Sequence, residues 1–253
     1  MTTPNPEKAQ HFLKNKKILK KEISVARLKK TDNVIEIGAG DGRLSVLISE
    51  KVDSLTSYEP DKRFSKELES LKLKNTKFVF KNALKDSWKG HNKIVSNIPY
   101  SLSEPIIMKA IDEKIKELTL IVGENFSKIL KEKTTKIGVI ANLYFKIEYI
   151  EKVLKTEFEP APRVDSYMIR LIRKKPSELE TVLQAILEKD SKTKNAIIRT
   201  FQNYGKTKNQ AREIIQKMNL NPRTLEKSVK TLSVQFIEKL RESLKNKEFK
   251  KYP

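Results

Sequence analysis

The chain has 253 residues, a formal net charge of +21 and no cysteine. Without cysteine there are no disulfides, no thiolate metal site and no cysteine nucleophile, which fits a reducing cytoplasm. The longest apolar run falls far short of the ~18 residues that a membrane span needs, and no apolar signal region follows Met1. We therefore expect a cytoplasmic protein without a membrane anchor.

The positive charge is concentrated at the two ends of the chain. Residues 1–30 carry 9 basic and 2 acidic side chains, residues 31–169 carry 23 and 21, and residues 170–253 carry 21 and 9. Lysines that approach a polyanion release its condensed counterions. The distribution predicts a central part that performs chemistry and two ends that approach nucleic acid, although a solvated lysine-rich surface gives the same counts.

The first part of the sequence alternates predicted strands with predicted helices. Apolar residues at helical spacing predict a lysine-rich helix from Ile18 to Ala26. This alternation predicts a mostly parallel, doubly wound α/β sheet. The predicted strands are 34–37, 55–59, 78–80, 94–95 and 118–122, and the helices between them are 43–50, 61–71 and one that begins at Ser103.

The pattern changes after the fifth predicted strand. Residues 139–155 alternate in hydrophobicity over a long run and residues 167–172 form another apolar run, so we predict an antiparallel pair at one edge of the sheet. Beyond Pro176 the apolar spacing predicts only helices. We therefore predict an α/β domain over residues 1–175 and a basic helical domain over residues 176–253.

A glycine-rich turn at residues 38–42 joins the first strand to its helix. Backbone at such a turn can approach a ligand, and an acid about 20 residues later, here Glu59, can bind the hydroxyls of a ribose. A dinucleotide, a flavin and S-adenosylmethionine all satisfy this arrangement. The G-x-G-x-G spacing lacks the third glycine of the dinucleotide fingerprint, which disfavours NAD. Glu36, just before the turn, could hold a cationic amino-acid group.

The stretch Asn97-Ile98-Pro99-Tyr100 follows the fourth predicted strand. It can be an ordinary strand-to-helix turn, because Asn and Pro are turn formers. Beside bound S-adenosylmethionine it acquires a chemical role. The Asn97 side chain and the Ile98 carbonyl can accept the two hydrogens of a base amino group, which aims the nitrogen lone pair at the methyl group. Pro99 helps to aim that carbonyl, and Tyr100 can stack on an extruded base.

Five stretches, in this order, resemble the ribosomal RNA adenine dimethyltransferases, the family of the small-subunit dimethylases and the erythromycin-resistance methylases. The tail at 223–240 is similar to the helical domain of the small-subunit branch. The resemblance implies a Rossmann-like S-adenosylmethionine-dependent methyltransferase sheet of seven mostly parallel strands, followed by a small all-helical domain. The five stretches are Gln10-His11-Phe12-Leu13, residues 36–42, Glu59, Asn97-Ile98-Pro99-Tyr100 and residues 158–166.

The resemblance also implies a substrate and a site. It implies dimethylation of adjacent adenines near the 3′ end of small-subunit rRNA, within a pre-ribosomal small subunit, and we expect a monomer without a metal. The implied catalytic residues are Asn97, Ile98, Pro99, Tyr100 and Phe158, the last two on either side of a flipped adenine. The implied cofactor-binding residues are Gln10, His11, Phe12, Leu13, Glu36, Gly38, Gly40, Glu59, Pro60, Asn82, Ala83 and Asn97.

Two positions depart from the family pattern. The family usually has Asp where this chain has Asn82, and Gln-x-Glu where it has Gly123-Glu124-Asn125. These departures motivate an alternative, a non-catalytic assembly or RNA-binding factor that retains the scaffold. A further alternative is a large-subunit methylase of the macrolide-resistance type, which the basic helical tail from Ser177 onward disfavours. From the residues alone, His11 and His91 are interpreted as packing or hydrogen-bonding residues. The alternative for Phe158 is plain core packing beside the prolines.

Overall fold

The computed structural model describes Thr2 and residues 10–245. Its strands in this part of the chain are β1 (Phe12–Leu13), β2 (Asn33–Ile37), β3 (Ser54–Tyr58), β4 (Thr76–Val79), β5 (Lys93–Asn97), β6 (Glu117–Gly123), β7 (Phe145–Val153), β8 (Phe158–Glu159) and β9 (Ser166–Arg173). Its helices are α1 (Lys16–Ala26), α2 (Arg43–Ser49), α3 (Ser65–Ser70), α4 (Ser103–Asp112), α5 (Glu124–Glu132), α6 (Lys136–Tyr144), α7 (Glu178–Leu187), α8 (Thr193–Asn203), α9 (Lys208–Lys217), α10 (Pro222–Leu225) and α11 (Val234–Leu244).

Seven strands form one sheet in the order β4-β3-β2-β5-β6-β9-β7. The five strands from β4 to β6 are parallel to their neighbours, and β9 is antiparallel to both β6 and β7. Parallel strands are buried on both faces, and β6 is accordingly an apolar run with almost every residue buried. The predicted α/β sheet of seven mostly parallel strands, with its antiparallel edge, is confirmed.

The strand predicted at 139–155 is wrong in its first part. Residues 136–144 form α6, and only Phe145–Val153 is a strand. Buried apolar side chains recur almost without interruption from Val139 to Tyr144. A run that is apolar on all sides has no period that separates a helix from a strand. Helices α5 and α10 were also not predicted.

The chain divides into two compact units, Met1–Glu132 with Tyr144–Arg173, and Lys133–Leu143 with Lys174–Pro253. The second unit therefore takes residues 133–143, which the predicted domain 1–175 had included. Contacts within that unit explain the difference, because Gln184 Nε2 donates to the Leu143 carbonyl at 3.1 Å and Lys136 Nζ donates to the Val229 carbonyl at 3.0 Å.

The helices of the second unit carry the local signals that their sequence predicts. Ser177 with Glu180 and Thr207 with Gln210 form capping boxes that begin α7 and α9. One face of each helix is buried, as with Ile186 of α7. Within the described residues, no helix is both long enough and apolar enough to cross a membrane.

Candidate active site

A cavity of about 220 Å³ lies at the carboxyl ends of β2, β3 and β5. Neighbouring connections of a doubly wound sheet leave on opposite faces at this edge, and the gap between them is where ligands bind. The structure brings together most of the predicted cofactor residues here. Those that line the cavity are Gln10, His11, Phe12, Leu13, Glu36, Gly38, Gly40, Glu59, Pro60 and Asn97.

The glycine turn brings main chain to the wall of this cavity. Gly38, Gly40 and Gly42 have φ values of +89°, +55° and +82°, in the left-handed region that residues with a Cβ rarely adopt. A Cβ at Gly38 would meet no protein atom within 4 Å, whereas a Cβ at Gly40 would lie 2.7 Å from the ring of Phe12. Gly38 therefore leaves room for a ligand, and Gly40 leaves room for Phe12.

Residues 10–13, here called the N-terminal strap, form one wall of the cavity. Gln10 Nε2 donates to Asp61 Oδ2 at 3.0 Å, and Nδ1 of His11 lies 2.9 Å from the carbonyl oxygen of Pro160. His11 is thus a hydrogen-bonding residue that also lines the cavity. These contacts fix the strap to segments that are distant in sequence.

Arg43 holds the far end of the same strap. Its Nη1 donates to the Leu13 carbonyl at 2.9 Å, its guanidinium carbon lies 5.9 Å from the centre of the Phe12 ring, and it forms an ion pair with Asp41. Arg43, Asp41 and Asp61 line the cavity but were not predicted as site residues. Two of them could have been predicted from their positions in the sequence, because Asp41 lies within the glycine turn and Arg43 directly follows it.

Glu59 is buried at the base of the cavity. Its Oε2 accepts from the amide of Gly40 and its Oε1 from the amide of Asp61, each at 2.9 Å. Burial raises the pKa of Glu59 above its usual value, against the effect of these hydrogen bonds. Each carboxylate oxygen accepts through more than one lone pair, so Glu59 retains acceptor capacity toward the cavity.

Glu36 is a buried carboxyl that forms no ion pair within the described part of the chain. Its Oε2 accepts from the hydroxyls of Ser45 and Ser57, the latter at 2.5 Å. Its Oε1 is buried and has no hydrogen-bond partner among the described residues. Burial raises the pKa of Glu36 to about 8. A cationic ligand group against Oε1 would satisfy that oxygen and lower the pKa.

A second cavity, of about 160 Å³, adjoins the first. Both are lined by His11, Asn97 and Pro99, so Asn97 stands between them. The predicted catalytic residues meet here: the lining of the second cavity includes Asn97, Ile98, Pro99, Tyr100 and Phe158. The arrangement allows one ligand in each cavity with Asn97 in contact with both.

Two aromatic rings contribute to the second cavity in different ways. Tyr100 is half-buried, and its hydroxyl forms a 2.6 Å hydrogen bond with the Ser166 hydroxyl. Burial raises the pKa of Tyr100, so its phenol stays neutral at physiological pH. Phe158 is buried in the hydrophobic core and pairs with Leu13 between β8 and β1. Phe158 is therefore both a core residue and part of the cavity wall.

Gly123, one of the departures from the family pattern, packs under the Tyr100 ring. A Cβ at this position would lie 3.2 Å from Cγ of Tyr100. That distance is tighter than ordinary van der Waals contact, so any larger residue must displace the ring. The glycine therefore sets how deeply Tyr100 lies at this edge of the cavity.

Asn82 and Ala83 are not among the described residues that line the cavity. Asn82 is exposed, and its Oδ1 accepts from the amide of Leu84 at 2.9 Å, which begins a short 3-10 turn. Ala83 is buried, and its carbonyl accepts from Nε1 of Trp88 at 3.0 Å. Their assignment to the cofactor stays a prediction.

The first cavity fits S-adenosylmethionine on three observations. The buried Oε1 of Glu36 has no hydrogen-bond partner among the residues that the structure describes and suits a cationic amino-acid group. Gly38 leaves open space against the cavity, and Glu59 keeps acceptor capacity for ribose hydroxyls. Together with the doubly wound sheet and the adjoining aromatic cavity, this site defines an S-adenosylmethionine-dependent methyltransferase.

The chain belongs to the ribosomal RNA adenine dimethylase family, whose model matches residues 1–239. It is 32% identical over 227 residues to a Methanococcus maripaludis protein named "Probable ribosomal RNA small subunit methyltransferase A", with 83% of this chain and 86% of the relative covered. The protein is thus an rRNA adenine dimethyltransferase, and its cofactor is S-adenosylmethionine.

Two solved structures have the same fold. The crystal structure of a dimethyladenosine transferase from Plasmodium falciparum aligns with a TM-score of 0.66 and 22% identity, covering 92% of this chain and 97% of that one. The crystal structure of the 23S rRNA methyltransferase ErmE aligns with a TM-score of 0.64 and 22% identity, covering 92% and 99%.

The buried Glu36 carboxyl predicts a stability that falls as the pH rises. Below about pH 4.5 the carboxyl is protonated in both the folded and the unfolded chain; above that pH only the unfolded chain ionises, until the folded pKa of about 8 is reached. The free energy of unfolding in urea should therefore fall between pH 5 and pH 8, by at most about 1.4 kcal/mol per pH unit from this group.

The Glu36→Gln variant should lose much of this slope, because it cannot ionise. Replacement of the exposed Glu69 by Gln is the matched control and should keep the wild-type slope. An unchanged slope in Glu36→Gln would show that Glu36 is ionised in the folded protein at neutral pH.

The packing of Tyr100 on Gly123 predicts that Gly123→Ala impairs the second cavity. The backbone here does not require glycine, so the fold should persist, while the added Cβ displaces the ring. We expect kcat/KM for RNA to fall by up to about tenfold with little change in Tm, since a misplacement of about 1 Å can cost about 100-fold and the ring must move by only a few tenths of an ångström. Tyr100→Ala/Gly123→Ala should be no worse than Tyr100→Ala; a further loss in the double variant would contradict this mechanism.

Proposed function

We propose that this protein dimethylates the exocyclic amino groups of adjacent adenines near the 3′ end of small-subunit rRNA, in the pre-ribosomal small subunit. The observation that carries this proposal is the pair of adjoining cavities with Asn97 common to both. The relatives named as small-subunit methyltransferases support the choice of rRNA. The protein would act as a monomer in the cytoplasm.

In this proposal the first cavity holds the cofactor. S-adenosylmethionine, when bound, supplies a methyl group on a positively charged sulfur. Glu59 would accept hydrogen bonds from the ribose hydroxyls, and Glu36 would accept from the amino group of the methionine part. The N-terminal strap, fixed by Asp61, Arg43 and the carbonyl of Pro160, would exclude water from the reacting centre.

The second cavity would hold the adenine that is to be methylated. An exocyclic amino group is a weak nucleophile, because its lone pair is delocalised into the ring. The Asn97 Oδ1 and the Ile98 carbonyl would accept its two hydrogens, which favours a pyramidal nitrogen with its lone pair directed away from both acceptors. Tyr100 would stack on the base and remain neutral, so alignment rather than a strong general base provides the catalysis.

The helices of the second unit would bind rRNA phosphates. Residues 170–253 carry 21 basic against 9 acidic side chains. Exposed cations lie on two consecutive helices of that unit, for example Arg199 on α8 and Lys208 and Arg212 on α9. Such contacts add affinity through counterion release and carry little sequence information.

The proposed function is tested by methylation of purified ribosomal subunits that lack the modification. Wild-type protein should transfer methyl groups from S-adenosylmethionine to small subunits only, and mass spectrometry of nuclease fragments should find dimethyladenine at neighbouring positions near the 3′ end. Methylation of large-subunit rRNA instead would favour the macrolide-resistance type, and no methylation of either would favour an assembly factor.

The role of Asn97 predicts that Asn97→Ala lowers the rate of methylation by at least about 100-fold, as for other groups that align a transition state. The fold should be retained, because Asn97 is the last residue of β5 and only partly buried. Circular dichroism and thermal unfolding serve as controls. Near-normal methylation by this variant would contradict the assignment.

The basic helices predict that reversing charge there weakens RNA binding. The triple variant Arg199→Glu/Lys208→Glu/Arg212→Glu should bind small-subunit rRNA at least about tenfold more weakly and show a smaller dependence of log Kd on log salt. A matched variant reverses Lys51, Lys74 and Lys89, which are exposed and precede the amino ends of β3, β4 and β5, away from the cavities. Equal losses in both variants would indicate general charge attraction rather than a binding face.

A further inference from the structure

Glu22 is a fully buried carboxyl on an otherwise apolar face of a helix. It lies on α1 between Leu19 and Ala26, both of which are also buried. Within the part of the chain that the structure describes, Glu22 forms no ion pair. A buried carboxyl without a cation is costly compared with an apolar side chain of similar size. A leucine at this position would be expected to stabilise the fold more. We therefore look for a role of Glu22 other than stabilisation.

The partner of Glu22 is the amide side chain of Asn97. With the amide oriented so that its nitrogen faces the helix, Nδ2 lies 3.2 Å from Oε2 and 3.3 Å from Oε1 of Glu22. The reverse orientation would set the Asn97 Oδ1 against both carboxylate oxygens, acceptor against acceptor. The environment thus selects one of the two orientations of this amide.

This selection decides which atom of Asn97 remains for a ligand. Asn97 lines both cavities, whereas Glu22 is not among the described residues that line either one. With Nδ2 donating to Glu22, the remaining polar atom of the side chain is Oδ1, an acceptor. An acceptor is what the hydrogens of an adenine amino group require, and a donor in its place would compete for the nitrogen lone pair.

We propose that Glu22 is a positioning residue that holds the Asn97 amide with its oxygen available to the target amino group. The proposal rests on the proposed function and adds to it a residue outside the cavities. Burial, together with the nearby Glu36 carboxylate, raises the pKa of Glu22. With Nδ2 toward Glu22 the contact is satisfied in either protonation state of the carboxyl. In the reverse orientation a protonated Glu22 could donate to Oδ1 from one oxygen only, and the other carboxyl oxygen, at a similar distance of 3.2 to 3.3 Å, would still oppose Oδ1.

The test compares Glu22→Leu with Glu22→Gln. Leucine fills the space but offers no acceptor, so kcat should fall about fivefold to tenfold, which is the effect of losing one hydrogen bond that favours a single orientation. The KM for S-adenosylmethionine should change less than about twofold. Tm should stay equal or rise, because a buried carboxyl is removed. Glutamine keeps an acceptor oxygen and should restore most of kcat.

A readout that does not depend on turnover is the side-chain amide of Asn97 in ¹⁵N NMR spectra, assigned with Asn97→Ala. Its resonances should shift in Glu22→Leu and stay close to wild type in Glu22→Gln. The control is Leu19→Met, a core substitution on the same helix face that removes no polar atom. It should alter Tm and leave kcat and the Asn97 resonances unchanged.

The outcomes separate this proposal from the proposed function. Wild-type kcat in Glu22→Leu, or a fall in kcat that follows a fall in Tm as it would for a merely structural residue, would overturn the positioning role while methylation by the wild type stands. A wild-type protein that methylates no RNA would overturn the proposed function and, with it, the catalytic purpose of Glu22. In that event the NMR comparison would still decide whether Glu22 orients the amide.

Discussion

The parallel pairing of β2 with β5 is the constraint on which the site depends. The Ser96 hydroxyl donates to the Ile37 carbonyl at 2.6 Å, which fixes the carboxyl ends of the two strands side by side. The chain leaves β2 through the glycine turn and leaves β5 through the stretch from Asn97 to Tyr100. The cofactor cavity and the base cavity adjoin because these two exits adjoin. No loop has to fold over a long distance to bring them together.

Buried ionisable side chains form ion pairs at the amino edge of the sheet but not near its carboxyl edge. At the amino edge Lys93 lies 3.1 Å from Asp32, and Glu117 pairs with Arg170. Although burial opposes it, hydrogen bonds from Asn92 and Lys29 and the Lys93 cation lower the pKa of Asp32. Near the carboxyl edge Glu22 and Glu36 are buried and form no ion pair among the described residues, and burial raises the pKa of both. The first arrangement pairs the buried charges within the fold, whereas in the second Glu36 retains an unpaired oxygen toward the cofactor cavity and Glu22 faces Asn97.

The sequence predicted the sheet because alternating apolar runs and helical spacing are local signals. It failed at α6, where the run from Val139 to Tyr144 is apolar throughout, and it did not predict that this helix belongs with the second unit. The glycine turn and Asn97 could be found from spacing. Glu22 could not, because a glutamate in a lysine-rich helix resembles a solvated residue until the tertiary structure buries it.

The packing of the three glycines explains why the motif alone did not distinguish a dinucleotide, a flavin and S-adenosylmethionine as the ligand. Gly38 faces open space at the cavity, whereas a Cβ at Gly40 would clash with Phe12 and a Cβ at Gly42 would lie 2.5 Å from Leu71. The missing side chain of Gly38 leaves space for a ligand, whereas the missing side chains of Gly40 and Gly42 leave space for packing, although Gly40 also lines the cavity. The spacing of the glycines therefore reports mainly how the strap and helix α3 pack on the turn. The choice of ligand comes from the unpartnered Glu36 oxygen and from the cavity that adjoins at Asn97.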